Sequence, residues 1–194
     1  MNLTSRLATT TALAAAFLTV AGCATTTVHK TAATPAASSA TQAPATDTPA
    51  PSDSTTDPAG GIGDTFTVTS SDGTSYDVTL IKVDQHATLG AYETLDNSAD
   101  HAAAAEFKIT GDTGQSSDDA NNDANAIGSD QTEYQPSFVT LTVPNFNAGD
   151  FKVAPGQTEK GWVAFELPPG TTIAQVQWAP GLDGQAATWT VQAP

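Results

Sequence analysis

Short alternations of apolar and polar residues, separated by turn residues, occupy the chain from Ile62 to Val191. Phe66 and Val68 alternate with Thr65, Thr67 and Thr69, Asp72-Gly73 supplies a hairpin-turn signal, and Tyr76, Val78 and Leu80 resume the period of two. The parity shifts at Ile81 and Val83, which predicts a bulge or a strand covered on both faces. Further on, Val139, Leu141 and Val143 alternate with Thr140 and Thr142 until Pro144 stops the run, and a shorter segment around Phe151 and Val153 follows. Val163, Phe165 and Leu167 alternate with Trp162, Ala164 and Glu166, closed by Pro168-Pro169-Gly170. Two more strands carry Ala174, Val176 and Trp178, then Ala187, Trp189 and Val191. About seven strands at this spacing predict an all-β sandwich or barrel. Its expected core includes Phe66, Val78, Leu80, Phe107, Leu141, Val163, Phe165, Val176 and Trp189.

One segment argues the other way. Asp100 followed by His101-Ala102-Ala103-Ala104-Ala105-Glu106-Phe107-Lys108 pairs an N-cap residue with good helix formers, so local propensity favours a helix. An isolated helix this short is marginal in water, and tertiary pairing overrides propensity. The expectation is a strand, with Ala103, Ala105, Phe107 and Ile109 on one face and Glu106, Lys108 and Thr110 on the other.

Composition changes before Ile62. From Ala24 to about Gly61 the chain is mostly Ala, Thr, Pro and Ser, with Val28 its only large aliphatic residue. Such a segment has too little apolar surface to offset chain entropy, and is expected to form a disordered tether stiffened by Pro35, Pro44, Pro49, Pro51 and Pro58. An O-glycosylated Thr/Pro-rich stretch is the functional alternative. His29 and Lys30 read as solvated linker residues. The expected organisation is therefore residues 1–22, 23–61 and 62–194.

Residues 1–22 have a charged start at Arg6, an apolar segment from Leu7 to Val20 and small residues after it, the layout of a secretory signal. A membrane-spanning helix needs about 20 apolar residues, and this run is shorter and diluted by threonines. The run ends in Val20-Ala21-Gly22-Cys23, which resembles the lipobox of bacterial lipoproteins. The resemblance implies a lipid-modified Cys23 as the first mature residue, in a protein anchored to the cell membrane and facing outside the cytoplasm. An ordinary cleavable signal with an unmodified Cys23 is the competing reading.

Cys23 is the single cysteine, so no disulfide, thiolate nucleophile or sulfur metal site is expected in the domain. Beyond the signal, five lysines against 21 acidic residues leave a net charge of −16. That field repels nucleic acid and anionic headgroups, and no basic stripe exists to bind either. Basic proteins and cations remain compatible.

The stretch Ala126-Ile127-Gly128-Ser129-Asp130-Gln131-Thr132-Glu133-Tyr134-Gln135-Pro136 is followed by Ala154-Pro155-Gly156-Gln157-Thr158-Glu159-Lys160-Gly161-Trp162-Val163-Ala164-Phe165-Glu166-Leu167-Pro168. Together they resemble a bacterial family of unknown function whose members are exported immunoglobulin-like domains, related to the secreted immunoprotective antigen of mycobacteria. The resemblance spans roughly residues 62–191. It implies an immunoglobulin-like antiparallel β-sandwich without an inter-sheet disulfide, and a strand at the Ala-rich segment. It carries over no catalytic residue.

Candidate chemistry is sparse. His86 and His101 lie near Asp84 and Asp100, but a nucleophilic triad also needs a positioned serine or threonine and no Gly-x-Ser-x-Gly elbow occurs. Two histidines on an acidic surface are the plainer reading. A carboxylate pair for glycoside hydrolysis is defined by spatial separation, which sequence does not give. Counting from Asp119, oxygen side chains at Asp119, Asn121, Asp123, Asn125 and Asp130 follow calcium-loop spacing. Ala124 replaces the turn glycine and Asp130 the bidentate glutamate, so Asp119, Asn121, Asp123 and Asp130 form at best a weak calcium site on a solvated, mobile loop. Trp162, Trp178 and Trp189 fall within apolar alternations, where packing outweighs a sugar-binding platform. Three classes follow: a non-enzymatic envelope lipoprotein binding a protein or small ligand, an envelope hydrolase, and a calcium-stabilised structural or adhesive module. The first is expected, without enzymatic activity and without cofactor, its partners being the membrane through the lipid and an envelope or extracellular protein or small ligand.

Overall fold

Two β-sheets face each other across a core of aromatic side chains, as seen in a computed structural model that describes residues 27–31, 58–70, 72–146, 148–181 and 186–192. Residues 1–26, with the expected signal and Cys23, and residues 32–57 lie outside the described residues. In chain order the elements are β1 (Thr27–Lys30), β2 (Ala59–Gly61), β3 (Thr65–Thr69), β4 (Ser75–Asp84), β5 (His101–Thr113) and β6 (Ser116–Asp119). A four-residue helix α1 (Ala120–Asp123) leads into β7 (Ala124–Gly128), β8 (Glu133–Tyr134) and β9 (Pro136–Ser137). Then come β10 (Asp150–Val153), β11 (Thr158–Leu167), β12 (Ile173–Trp178) and β13 (Ala187–Thr190). One sheet has the order β1-β3-β4-β5-β11-β9, the other β2-β13-β12-β7-β8, and β10 pairs β6 separately. The pairings are antiparallel except β13 with β2. The chain is an all-β, immunoglobulin-like sandwich.

Side-chain alternation decides which face each strand buries. Phe66 on β3 meets Trp189 on β13 edge to face at 5.0 Å, and Phe107 on β5 meets Trp178 on β12 at 4.9 Å. These rings join the two sheets. Both indoles are fully buried and both N–H groups are satisfied: Trp178 Nε1 donates to Tyr76 Oη at 3.1 Å and Trp189 Nε1 to the Asp64 carbonyl at 2.9 Å. The Ala-rich segment is a strand, pairing β4 on one side and β11 on the other along most of its length. Ala103, Ala105, Phe107 and Ile109 face the core as expected. The register shift between Leu80 and Lys82 is the bulge that the change of parity foretold.

The opposite face of this sheet is also covered. Ala104, Leu141, Trp162 and Ala164 form a second buried cluster, with Leu89 and Val139 packed on it. Small alanines on β5 let the loop from Gln85 to Asp100 and the segment around Leu141 lie close to the sheet. Lys82 Nζ sits 4.8 Å from the Trp162 ring centroid and closes one side of the cluster. On the inner face of β11 Gly161 is required, because a Cβ at that position would stand 2.5 Å from the ring of Phe146, which packs in the core between the sheets.

Two expectations about strands and boundaries fail. Residues 139–143 alternate like a strand yet make only an isolated bridge, Leu89 with Leu141. The Asn145 side chain takes the place of a strand partner, accepting from Leu141 N at 3.0 Å and donating to the Val139 carbonyl at 3.2 Å. The assignment of residues 23–61 wholly to a tether also fails at both of its described parts. Thr27–Lys30 is an edge strand on β3 with Val28 buried in the core, and β2 starts at Ala59. Lys30 is exposed but bridged to Asp64 at 2.8 Å, not free in a linker.

Candidate functional site

Three places in the fold gather the residues that could carry function. The first is the histidine pair. His86 follows β4 and His101 opens β5, so the hairpin brings their rings to a centroid distance of 5.0 Å. Neither neighbouring aspartate joins them. Asp84 Oδ1 accepts from the His86 backbone N–H at 3.0 Å, and Asp100 Oδ1 from Asn97 Nδ2 at 2.9 Å. The aspartates are spent on turns, leaving no His–carboxylate relay in this pair.

The second place is the acidic segment. It is not a solvated loop: Ser116, Ala120, Asp123, Ala124 and Ala126 are buried, and β6 pairs with β10 across four positions. Asp119 caps α1, its Oδ1 accepting from Asn121 N at 2.9 Å and its Oδ2 from Asn122 Nδ2 at 3.1 Å. Asp130 stands beyond the far end of β7, a five-residue strand about 17 Å long. Its carboxylate accepts from Thr132 N at 3.0 Å and Tyr134 Oη at 2.7 Å. The calcium-loop set Asp119, Asn121, Asp123 and Asp130 is therefore not assembled around one point, because an extended strand replaces the curled loop that such spacing needs. Among the described residues, no three His, Cys, Asp or Glu side chains converge as metal ligands.

Instead the fold pairs Asp123 with Asp118, which the spacing argument left out. Their carboxyls hydrogen-bond each other, and a cleft of about 350 Å³ lined by Asp118, Asn122, Asp123 and Gly181 opens beside them. Burial first, and the Asp118 charge second, push the Asp123 carboxyl up to about 8. Burial raises Asp118 as well. Asp123 thus holds a proton at neutral pH and donates it to Asp118, the response of two like charges confined away from water.

The third place is a projecting aromatic surface that the sequence did not single out. Phe138 is 79% exposed and Tyr92 fully exposed. Both are carried by the segments that cover the second cluster. Gly90 N donates to the Thr140 carbonyl at 2.7 Å and Thr142 N to the Thr88 carbonyl at 2.9 Å, around the Leu89–Leu141 bridge. Beyond Gly90 the chain turns, Glu93 N donating to the Gly90 carbonyl at 3.3 Å, and Tyr92 sits in that turn. Tyr92 has φ +71°, a left-handed backbone that costs a non-glycine residue on the order of 1 kcal/mol. The cost is borne while the ring makes no buried contact. Phe138 forms the ridge between two open clefts, one of about 300 Å³ reaching Asn121, Asn145 and Phe146, the other of about 560 Å³ reaching Glu93, Asp96 and Glu166. Glu166 is fixed there by the backbone N–H groups of Asp96 and Asn97, at 3.0 and 2.7 Å. The surface presents the exposed Phe138 ring beside the acidic groups Glu93, Asp96 and Glu166.

The chain matches no protein family and no curated protein. Among solved structures it is similar to MPT63, a secreted protein from Mycobacterium tuberculosis, with a TM-score of 0.55 and 16% identity over 71% of this chain and all of that one. An uncharacterized β-sandwich protein from Clostridium difficile 630 is similar at a TM-score of 0.42 and 14% identity, over 75% of this chain and all of that one. At 16% identity the likeness to MPT63 establishes the sandwich fold. It agrees, at the level of fold, with the mycobacterial relation read from residues 126–168.

Proposed function

We propose that this protein is a lipid-anchored, extracytoplasmic binding module that grips another protein through Phe138 and Tyr92 and performs no catalysis. The observation that carries the reading is Phe138, exposed between two open clefts, with a second fully exposed ring at Tyr92 on the covering loop. Isolated apolar residues on a surface are ordinary, but Phe138 stands exposed between two open clefts and Tyr92 holds a fully exposed ring in a costly backbone conformation, which supports an interaction site here. The rings project outward, whereas small-ligand sites are concave and enclose their ligand. A partner with an apolar pocket would take such rings as binding hot spots, and basic groups on that partner would meet Glu93 and Asp96. The location outside the cytoplasm and the anchor rest on the signal and on Val20-Ala21-Gly22-Cys23. The family resemblance of residues 126–136 and 154–168 points to the same class of exported domain.

Replacing Phe138 and Tyr92 together by serine tests the reading. Neither ring supports the core, so unfolding free energy should stay within about 0.5 kcal/mol of the parent. Envelope extracts solubilised in mild detergent should then show the variant migrating as the isolated lipoprotein, where the parent migrates as a larger complex. Equal migration of the two proteins would contradict the proposal.

A further inference from the structure

β1 changes what an anchor at Cys23 would do. Only Ala24, Thr25 and Thr26 stand between Cys23 and Thr27, and four Cα steps reach at most about 15 Å. A flexible chain from Cys23 to Ala59 would instead average about 35 Å and extend to more than about 100 Å. Which length applies depends on whether β1 is seated. In the structure it is: Val28 is buried to 1% exposure opposite Val68, Thr31 N donates to the Thr65 carbonyl at 3.0 Å, and Lys30 bridges Asp64 at 2.8 Å.

Strand direction then fixes which end of the sandwich is tied down. β1 runs antiparallel to β3 with Thr27 opposite Thr69, so its first residue lies at the β3–β4 turn. Ser75 opposite Thr113 puts the start of β4 and the end of β5 at that same end, and Gly114 lies against Thr74. Phe138 follows β9, whose Ser137 pairs with Ala164, and Val163 pairs with Ala105. Eight residues of β5 separate Ala105 from Thr113, about 27 Å along the strand.

We propose that β1 fastens the sandwich against the membrane, with the β3–β4 turn toward the lipid headgroups and the exposed Phe138 held outward. Residues 32–57 are then an insertion between two strands of the domain and not a spacer between domain and lipid. The turns at the tied end, around Asp72-Gly73, Gly114-Gln115 and Pro155-Gly156, contain no lysine or arginine. The covalent tie, not charge, supplies the proximity. This inference rests on Cys23 being the lipidated residue.

Neutron reflectometry of the full-length lipidated protein on a supported phosphatidylcholine bilayer measures the gap between headgroups and protein. The native protein should start within about 15 Å of the headgroups. Val28→Asp, which unseats β1, should move the layer outward by tens of ångströms. A second variant guards against misfolding in the first: 30 Gly/Ser residues inserted between Cys23 and Ala24 leave β1 seated and should also move the layer outward. A native gap equal to that of both variants overturns the inference while leaving the anchor intact. A mature product whose intact mass shows no lipid on Cys23 removes the anchor reading, and this inference with it.

Discussion

Replacing Asp123 by asparagine should flatten the dependence of stability on pH. In the folded protein burial and the neighbouring Asp118 charge raise the Asp123 carboxyl to about 8, whereas in the unfolded chain it titrates near the ordinary value of about 3.9. Between those two values the folded state keeps a proton that the unfolded chain has released. Unfolding free energy therefore falls as pH rises through this window, by about 1.4 kcal/mol per pH unit for one proton, and the loss is complete once pH passes the folded value. The contribution is fully present only below the unfolded value. From pH 5 to pH 7 the parent should lose roughly 2–3 kcal/mol. Asp64, Asp72 and Asp130 do not disturb this window, because hydrogen bonds lower their carboxyls and both states are ionised there. Their stabilisation disappears only in more acidic solution. Asparagine retains an N–H donor for Asp118 without a titrating proton, so the slope should shrink and the variant should be the more stable protein at pH 8. Urea unfolding at half-unit pH steps measures both. A parent whose stability is level or rises from pH 5 to 7, or an Asp123→Asn variant with the parental slope, would refute the buried shared proton.

Other substitutions test other parts of the fold. Phe165→Ala removes a fully buried ring between the sheets and should cost about 3–5 kcal/mol in chemical unfolding. Gly161→Ala drives a methyl group into the Phe146 ring and should cost about 1–3 kcal/mol, with the near-ultraviolet circular dichroism of the core aromatics altered. Calcium should bind the region from Asp118 to Asp130 no more tightly than about 0.1–1 mM in calorimetric titration, since Asp130 is turned to Tyr134 and Asp119 to α1. Micromolar stoichiometric binding would contradict that separation.

The core was legible because its signal is local. Val163, Phe165 and Leu167 alternate cleanly with Trp162 and Ala164, and the two sets enter two different buried clusters. The Ala-rich strand was legible because an isolated helix this short is marginal and pairing overrides its propensity, and in the fold Phe107 meets Trp178 and Trp189. Other features lacked a local signal. β1 has four residues and one aliphatic side chain, so no period announces it; its place depends on β3, almost forty residues away. Residues 139–143 carry a strand's alternation, but a side-chain amide at Asn145 answers their backbone. Asp118 and Asp123 are two of many carboxylates until burial sets them apart. Phe138 reads like any core aromatic, and only the finished surface shows that its ring has nothing above it.

The binding ridge is tested most directly by a photo-crosslinking residue at position 138 in the lipidated protein, irradiated in its own envelope. The account predicts one discrete crosslinked protein from position 138, lost when Tyr92 is also changed to serine, and none from the exposed Lys152 on β10. Absence of a crosslink at 138, or the same products from 138 and 152, would contradict it.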